Sequence, residues 1–124
     1  MSTKYIVDNV SGQTINGVSI LRPYKVYTAL ITQSGTGIAP TALVLENSLS
    51  GTIVWTYDST GEYIGTLTGE FIDNKTYLSA LPSQTTQLKL VRINDDSVNL
   101  GTGTGGVKTN GLLLDTPIEI RVYN

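Results

Sequence analysis

The chain is 124 residues long, the size of one domain that can bury a core without disulfides, and it contains neither cysteine nor histidine. Their absence excludes a disulfide framework, the usual zinc and iron ligand sets, and the Ser-His-Asp and Cys-His catalytic arrangements. The net charge is −2 and only 15% of the residues are charged, with the eight lysines and arginines scattered. We therefore expect no nucleic-acid partner, because phosphate binding depends on clustered positive charge, and no membrane partner, because no apolar run approaches roughly 20 residues.

The first 21 residues contain short strand candidates. Residues 4–9 read as one strand, and Asn16-Gly17 is a strong hairpin signal, after which residues 18–21 can pair back on that strand. Residues 1–21 therefore form either a hairpin of the β domain or an N-terminal anchoring arm. The N-terminus has no continuous apolar segment and no small-residue cleavage site, so we expect no secretory signal.

A long strand is predicted after Pro23, over residues 24–32. Tyr24, Val26, Thr28 and Leu30 lie on one face of it, because side chains alternate along a strand. The opposite face, beginning at Lys25, is also substantially apolar. This pattern predicts a strand that is covered on both sides.

Three consecutive strands are predicted over residues 42–46, 52–57 and 63–68, and we expect the chain to be organised around this unit. The intervening turns, residues 47–51 and 58–62, both contain glycine together with Asp, Asn or Ser. The one tryptophan, Trp55, lies in the middle strand and shares a face with Ile53. It is therefore predicted to be the centre of a small β core.

The second half of the chain carries further strand candidates, over residues 76–81, 87–94, 98–100, 112–114 and 117–123. Residues 87–94 show the clearest alternation, and in the last strand Ile118, Ile120 and Val122 are predicted to face the core, with Glu119 and Arg121 facing solvent. Residues 101–106, GTGTGG, are predicted to be a mobile loop within a Gly-rich loop over residues 101–111.

No segment shows a sustained apolar period of 3.6 residues, and about eight to ten short strands separated by turns are typical of sandwiches and barrels. We predict a single all-β domain over residues 1–124. Its expected architecture is an antiparallel two-sheet β-sandwich, Ig-like or jelly-roll, and a small barrel is the alternative.

Carboxylate pairs are the remaining route to catalysis, and the candidates are Glu46, Asp58, Glu62, Asp95 and Asp96. All five lie in or beside predicted turns, where solvated side chains are expected. A glycosidase needs two carboxylates facing each other in a cleft, and this spacing indicates none. We therefore predict no catalytic residues and no enzyme activity.

Two patterns resemble ligand sites without matching them. Asp95-Asp96 with Asn94 and Asn99 carries oxygen ligands of the kind that calcium prefers, but the spacing fits no EF-hand loop, and a turn is favoured. Residues 101–109 approach the phosphate-binding pattern G-x₄-G-K-[ST], but Val107 interrupts it, and Asn110-Gly111 favours a turn where the motif needs a helix to begin. We predict neither a metal nor a cofactor.

Aromatic residues give one binding hypothesis. Seven tyrosines and one tryptophan in a threonine-rich β protein can form a platform that stacks against sugars. The candidate stacking residues are Trp55, Tyr57 and Tyr63, provided that they are exposed. Because Trp55 shares a face with Ile53, burial in the core is favoured.

Residues 24–77 resemble a module found in small proteins of tailed double-stranded DNA bacteriophages, notably crAss-like and related phages of Bacteroidota. The stretches that carry the resemblance are YKVYTALITQSGT, TALVLENSL with GTIVWTY, GEYIGTLTGEF and the ending LLLDTPIEIRVYN. The opening KYIVDNVSGQTI is similar to the start of some proteins of the same phages. The resemblance covers most of the chain apart from residues 85–109.

Proteins of this kind are virion structural components: head decoration proteins, head fibres or tail fibres. The resemblance implies a non-enzymatic structural protein that binds the capsid exterior as a decoration (auxiliary capsid) or head-fibre subunit, assembled in the host cytoplasm and located in the virion. Its partners would be the major capsid protein or other virion proteins, and it would be a homo-oligomer, dimer or trimer. The alternative is a carbohydrate- or receptor-binding module of a phage tail fibre or surface adhesin.

Overall fold

The structure is a computed structural model that describes residues 22–82 and 87–124 fully and, before them, the backbone of three short strands. These strands are β1 (Ile6–Asp8), β2 (Gly12–Ile15) and β3 (Val18–Ile20), in an antiparallel sheet of order β1-β2-β3. The expected return of residues 18–21 onto the first strand is wrong, because β3 pairs with β2 instead. Residues 1–21 were expected to be either a hairpin of the β domain or an anchoring arm. Their side chains lie outside the described residues, so both alternatives stay predictions.

The first of the two larger sheets has four antiparallel strands in the order β5-β4-β12-β8. Its members are β4 (Tyr24–Gln33), β5 (Thr41–Asn47), β8 (Thr76–Ala80) and β12 (Leu113–Tyr123). Both central strands lie where strands are predicted, β4 from apolar residues on both faces and β12 from alternation over residues 117–123. The two stretches expected at residues 112–114 and 117–123 form one strand with an irregularity between Leu113 and Thr116.

The second sheet has five strands, built from two hairpins and a short addition. Its members are β6 (Val54–Ser59), β7 (Glu62–Thr66), β9 (Gln87–Asn94), β10 (Ser97–Thr104) and β11 (Val107–Lys108). Strand β10 is central: it pairs with β7 on one edge and with β9 on the other, and its end pairs with β11. Strand β9 has the predicted bounds.

The two sheets pack face to face, so the predicted antiparallel two-sheet sandwich is confirmed, and over the described residues they do not close into a barrel. The first and last strands of the sandwich, β4 and β12, are neighbours in one sheet. In an Ig domain the first and last strands lie in different sheets.

No helix capable of spanning a membrane is found in the part of the chain that the structure describes.

The core lies between the sheets and is apolar. Its largest fully buried side chains include Tyr27 and Ile31 from β4, Tyr63 from β7, and Leu100 from β10. The predicted inward positions on β12 are confirmed, since all three are at most 3% exposed: Ile118, Ile120 and Val122. Trp55 is also buried, as its shared face with Ile53 indicated.

The expected three-strand unit is divided between the sheets. Strand β5 pairs with β4, whereas β6 and β7 belong to the other sheet. The turn at residues 47–51 is therefore a crossing from one sheet to the other and not a hairpin. Asn47 shapes it by accepting a hydrogen bond from the Leu49 amide and donating one to the Gly51 carbonyl, and Leu49 enters the core.

The prediction of a mobile loop in the glycine-rich segment is also wrong. Residues 101–104 continue strand β10. Gly101, Thr102 and Gly103 are buried. A Cβ on Gly103 would lie 2.6 Å from the Val107 carbonyl oxygen, so glycine here permits close approach of the neighbouring backbone. The actual turn is at Gly105-Gly106, where both residues have positive φ.

Candidate functional site

The three predicted stacking residues lie mostly inside the protein. Trp55 is 7% exposed and Tyr63 is fully buried, while Tyr57 is half-buried. The Trp55 indole Nε1 donates a hydrogen bond to the Tyr27 hydroxyl, 3.2 Å away, and so joins the two sheets. The condition of exposure is therefore not met for Trp55 or Tyr63.

Tyr63 and Tyr57 belong to a polar network at one end of the sandwich. The Tyr63 hydroxyl donates to Gln33 Oε1 at 2.8 Å, and Asn110 Nδ2 donates to the Tyr57 hydroxyl at 3.2 Å. Gln33 Oε1 also accepts the Gly111 amide at 2.8 Å. Each hydrogen bond in this network satisfies a polar group that is removed from water by packing. The network therefore stabilises the fold.

Glu62 differs from the other acidic candidates because it is buried and not a solvated turn residue. Its carboxylate lies 2.7 Å from Lys108 Nζ and 3.8 Å from Lys89 Nζ. Burial alone would raise the pKa of Glu62, but hydrogen bonds from Lys108 and Asn99, together with the positive charges of both lysines, bring it below its ordinary value. The remaining four candidates are exposed, as predicted: Glu46, Asp58, Asp95 and Asp96.

A small open pocket of about 180 Å³ lies beside Glu62 and is lined by residues of β9, β10 and β11. Glycines 101, 103 and 106 line it with Lys89 and Lys108. Glu62 is the one carboxylate among the lining residues, and it is held ionised between two ammonium groups. The pocket thus lacks the facing acid pair that glycoside hydrolysis needs.

The acidic segment at residues 94–97 forms the turn between β9 and β10. Asn94 Oδ1 accepts hydrogen bonds from the Asp96 amide and the Ser97 hydroxyl, and Arg92 pairs with Asp95. Asp96 Oδ1 accepts the Gly69 amide at 2.8 Å, so this side chain ties the turn to a neighbouring loop. Within residues 22–82 and 87–124, no group of three potential metal-ligating side chains comes together.

An aromatic cluster around Arg121 lies on the outer face of the four-stranded sheet. The Arg121 guanidinium carbon is 4.6 Å from the ring centre of Tyr24 and 5.6 Å from that of Tyr77. The rings of Tyr24 and Tyr123 are tilted by 53°, with centres 5.0 Å apart. We call Tyr24, Tyr77, Arg121 and Tyr123 the Tyr–Arg cluster.

Strand pairing builds this cluster. Strand β12 lies between β4 and β8, so Tyr123 is opposite Tyr24 on one side and Arg121 is opposite Tyr77 on the other. Because Ile118, Ile120 and Val122 point into the core, the residues between them point outward. The sequence indicated the outward direction of Arg121, but it carried no signal that tyrosines at three distant positions meet there.

The cluster is accessible and its arginine is held in place. Tyr77 is 51% exposed, and Arg121 Nε donates to Glu119 Oε1 at 2.8 Å. Hydrogen bonding to Tyr123, together with the nearby Glu119, raises the pKa of Arg121, which therefore remains a fixed cation. Exposed tyrosine rings around a positioned guanidinium can contact a protein partner or stack against a sugar ring.

No protein-family model, curated protein or solved structure matches the chain.

Proposed function

We propose that the chain is a non-enzymatic structural protein of a phage virion, which binds the capsid exterior as a decoration or head-fibre subunit. The observation that supports this best is the Tyr–Arg cluster, an exposed aromatic and cationic surface on the four-stranded sheet. All four cluster residues lie in the stretches that resemble phage virion proteins: Tyr24 and Tyr77 bound the run over residues 24–77, and the ending contains Arg121 and Tyr123.

The chemistry of the cluster suits a protein partner. Tyrosine and arginine are enriched among residues that dominate binding energy at protein interfaces. Tyrosine has few rotatable bonds, and the Glu119 hydrogen bond restrains Arg121 before binding, so little side-chain entropy is lost on docking. The expected partner is the major capsid protein or another virion protein that presents carboxylate or carbonyl oxygens to Arg121.

Rebinding to stripped capsids tests this proposal. Purified protein is added to phage heads freed of accessory proteins, and bound protein is measured by sedimentation. We expect saturation at a fixed copy number, with Tyr77→Ser weakening binding by about tenfold or more, as for an interface residue worth over 1.4 kcal/mol. Val107→Ser, which removes an exposed apolar side chain from the other sheet, is the matched control and should bind normally.

The second candidate function is a carbohydrate- or receptor-binding module of a tail fibre or adhesin. The exposed ring of Tyr77 favours it, because an aromatic face can stack against a sugar, with Glu119 and Arg121 available to its hydroxyls. Binding of host capsular polysaccharide that Tyr77→Ser abolishes, with no binding to stripped heads, would establish this function and overturn the first.

A further inference from the structure

Strand β5 is an open edge with apolar side chains in solvent. Over the described residues it pairs only with β4, and six of its seven residues are exposed. Leu43 and Leu45 are 61% and 63% exposed, and Val44 between them is 41% exposed. An edge of this kind is a template for pairing with another strand.

The usual protections of an edge strand are sparse along β5. Residues 41–45 carry no charge and no proline, and the one acid that follows, Glu46, is engaged by Arg22 at 2.9 Å. The strand has a register shift at which Leu45 is the extra residue, but residues 41–44 pair regularly with β4. The regular part of the edge is therefore also its uncharged, leucine-containing part.

We propose that β5 pairs with β5 of a second copy of this chain, antiparallel and about a two-fold axis through Leu43. In this register Leu43 lies opposite its own symmetry mate, Ala42 lies opposite Val44, and Thr41 lies opposite Leu45. The next position places Pro40 opposite Glu46, and proline, which has no amide hydrogen, ends the pairing there. The two four-stranded sheets become one continuous sheet.

The strand's own sequence argues for a second copy as the occupant. A two-fold interface requires a self-complementary surface, and the Leu43-centred register brings no like charges together. Leu43 is already opposite the half-buried Leu30 of β4, on the outer face of the sheet. The pairing aligns four leucines in a row, Leu30 and Leu43 of each copy, and gives the exposed Leu43 a cross-strand apolar partner.

A cysteine placed on the proposed axis tests the register, because the chain has no cysteine of its own. Leu43→Cys puts one thiol opposite its symmetry mate, at a separation that a directly opposed strand pair allows. With oxidised glutathione we expect rapid conversion to a disulfide-linked dimer on a non-reducing gel. Leu81→Cys, equally exposed at 64% but next to the opposite edge strand, is the control and should cross-link far more slowly.

Sedimentation equilibrium of the full chain completes the test. The wild-type protein is expected to be a dimer that Leu43→Lys converts to a monomer and Leu81→Lys does not, with all three equally folded by circular dichroism. A wild-type monomer at every concentration would overturn the proposal, and so would a dimer in which Leu43→Cys cross-links no faster than Leu81→Cys. No capsid enters the experiment, so its failure leaves the proposed function to its own test.

Discussion

Glu70 shows how single polar residues hold this fold together. It lies in the connection between β7 and β8, is 4% exposed, and accepts hydrogen bonds from the Ser50 amide at 2.9 Å and the Ser50 hydroxyl at 2.8 Å. Lys25 Nζ is 3.0 Å away. Burial would raise the pKa of Glu70, but these partners outweigh it and hold the pKa below its ordinary value of 4.5.

The lowered pKa of Glu70 predicts a defined pH dependence. The ionised carboxylate stabilises the fold at pH values above its unfolded pKa, and this contribution is lost as the pH falls through the folded pKa. We expect Glu70→Gln to lower the free energy of unfolding at pH 7 by about 1–3 kcal/mol, since buried partners lose a charged acceptor. The difference from wild type should shrink near pH 3.

Urea unfolding at both pH values measures the Glu70 effect. Asp58→Asn, which changes an exposed acid near the end of β6, is the control and should have little effect at either pH. Glu62 also has a lowered pKa, but all three proteins contain it, so its contribution to the pH dependence of stability cancels in the comparison. A Glu70→Gln penalty that is the same at pH 7 and pH 3 would contradict the assignment.

The hydrogen bond between Trp55 and Tyr27 gives a second prediction at this scale. Tyr27→Phe leaves the buried indole N–H without its acceptor, and we expect a loss of about 1–3 kcal/mol. Trp55→Phe removes the donor and part of the core. In a double-mutant cycle by urea unfolding, the double variant should lose less than the sum of the two single losses; simple additivity would show that the hydrogen bond contributes nothing.

At the scale of elements, Gly61 and Gly105 show what glycine does in two turns next to β10. The β6–β7 hairpin packs against it through Gly61, whose carbonyl accepts the Thr102 amide at 2.7 Å. Gly61 has a φ of +69°, and a Cβ there would lie 2.5 Å from the Thr102 carbonyl oxygen. Gly105, at the β10–β11 turn, has a similar φ of +59° but open space around it.

These two glycines form a matched pair for substitution. Gly105→Ala should cost about 1–2 kcal/mol, the strain of a left-handed backbone. Gly61→Ala shares that strain and adds a clash with backbone, so we expect at least about 2 kcal/mol more, in the range of overpacked sites. Thermal or urea unfolding of both variants measures the difference, and equal losses would contradict the close packing of the hairpin on β10.

The elements that the sequence predicted well are those with a local pattern of apolar residues. Strand β12 carries them at every second position, β9 alternates in its first half, and β4 is apolar on both faces. The glycine-rich part of β10 has no such pattern, because glycine has no side chain to alternate. Its identity as a strand depends on partners far away in the sequence, such as Glu62, which pairs with Gly101, and Gly61, whose carbonyl accepts a hydrogen bond from the Thr102 amide.

The division of the expected three-strand unit has the same origin. Asn, Gly and Ser at residues 47–51 suit any change of chain direction, so they do not distinguish a hairpin from a crossing between sheets. The burial of Leu49 and Ile53, which fills the core from the crossing itself, decides the path. Long-range packing therefore determines whether the chain forms a hairpin or crosses between the sheets at residues 47–51, which the turn residues alone do not specify.

For the candidate site, the sequence predicted which way single side chains point but not which residues they contact. Alternation along residues 117–123 predicted that Arg121 points outward, and the shared face with Ile53 indicated that Trp55 is buried. The Tyr–Arg cluster depends on β12 lying between β4 and β8, which brings together residues as far apart in the sequence as Tyr24 and Tyr123. Strand order of this kind is a property of the whole fold.

At the scale of the whole molecule, the cluster and the β5 edge belong to one sheet. The cluster lies on the outer face of β4, β12 and β8. Strand β5 is the edge strand next to β4, at the other side of the sheet from β8. Pairing of two copies through β5 would therefore leave both clusters free. Such a dimer could engage two capsid sites at once, and the second contact would be strengthened by its high effective concentration.

The copy number of the chain in purified phage particles tests the proposed function most directly. Quantitative mass spectrometry of intact particles and of heads separated from tails gives its ratio to the major capsid protein. We expect a fixed ratio that is retained in isolated heads, as for a subunit bound to the capsid exterior. Absence from the particles, or presence in the tail fraction alone, would contradict the decoration and head-fibre assignment.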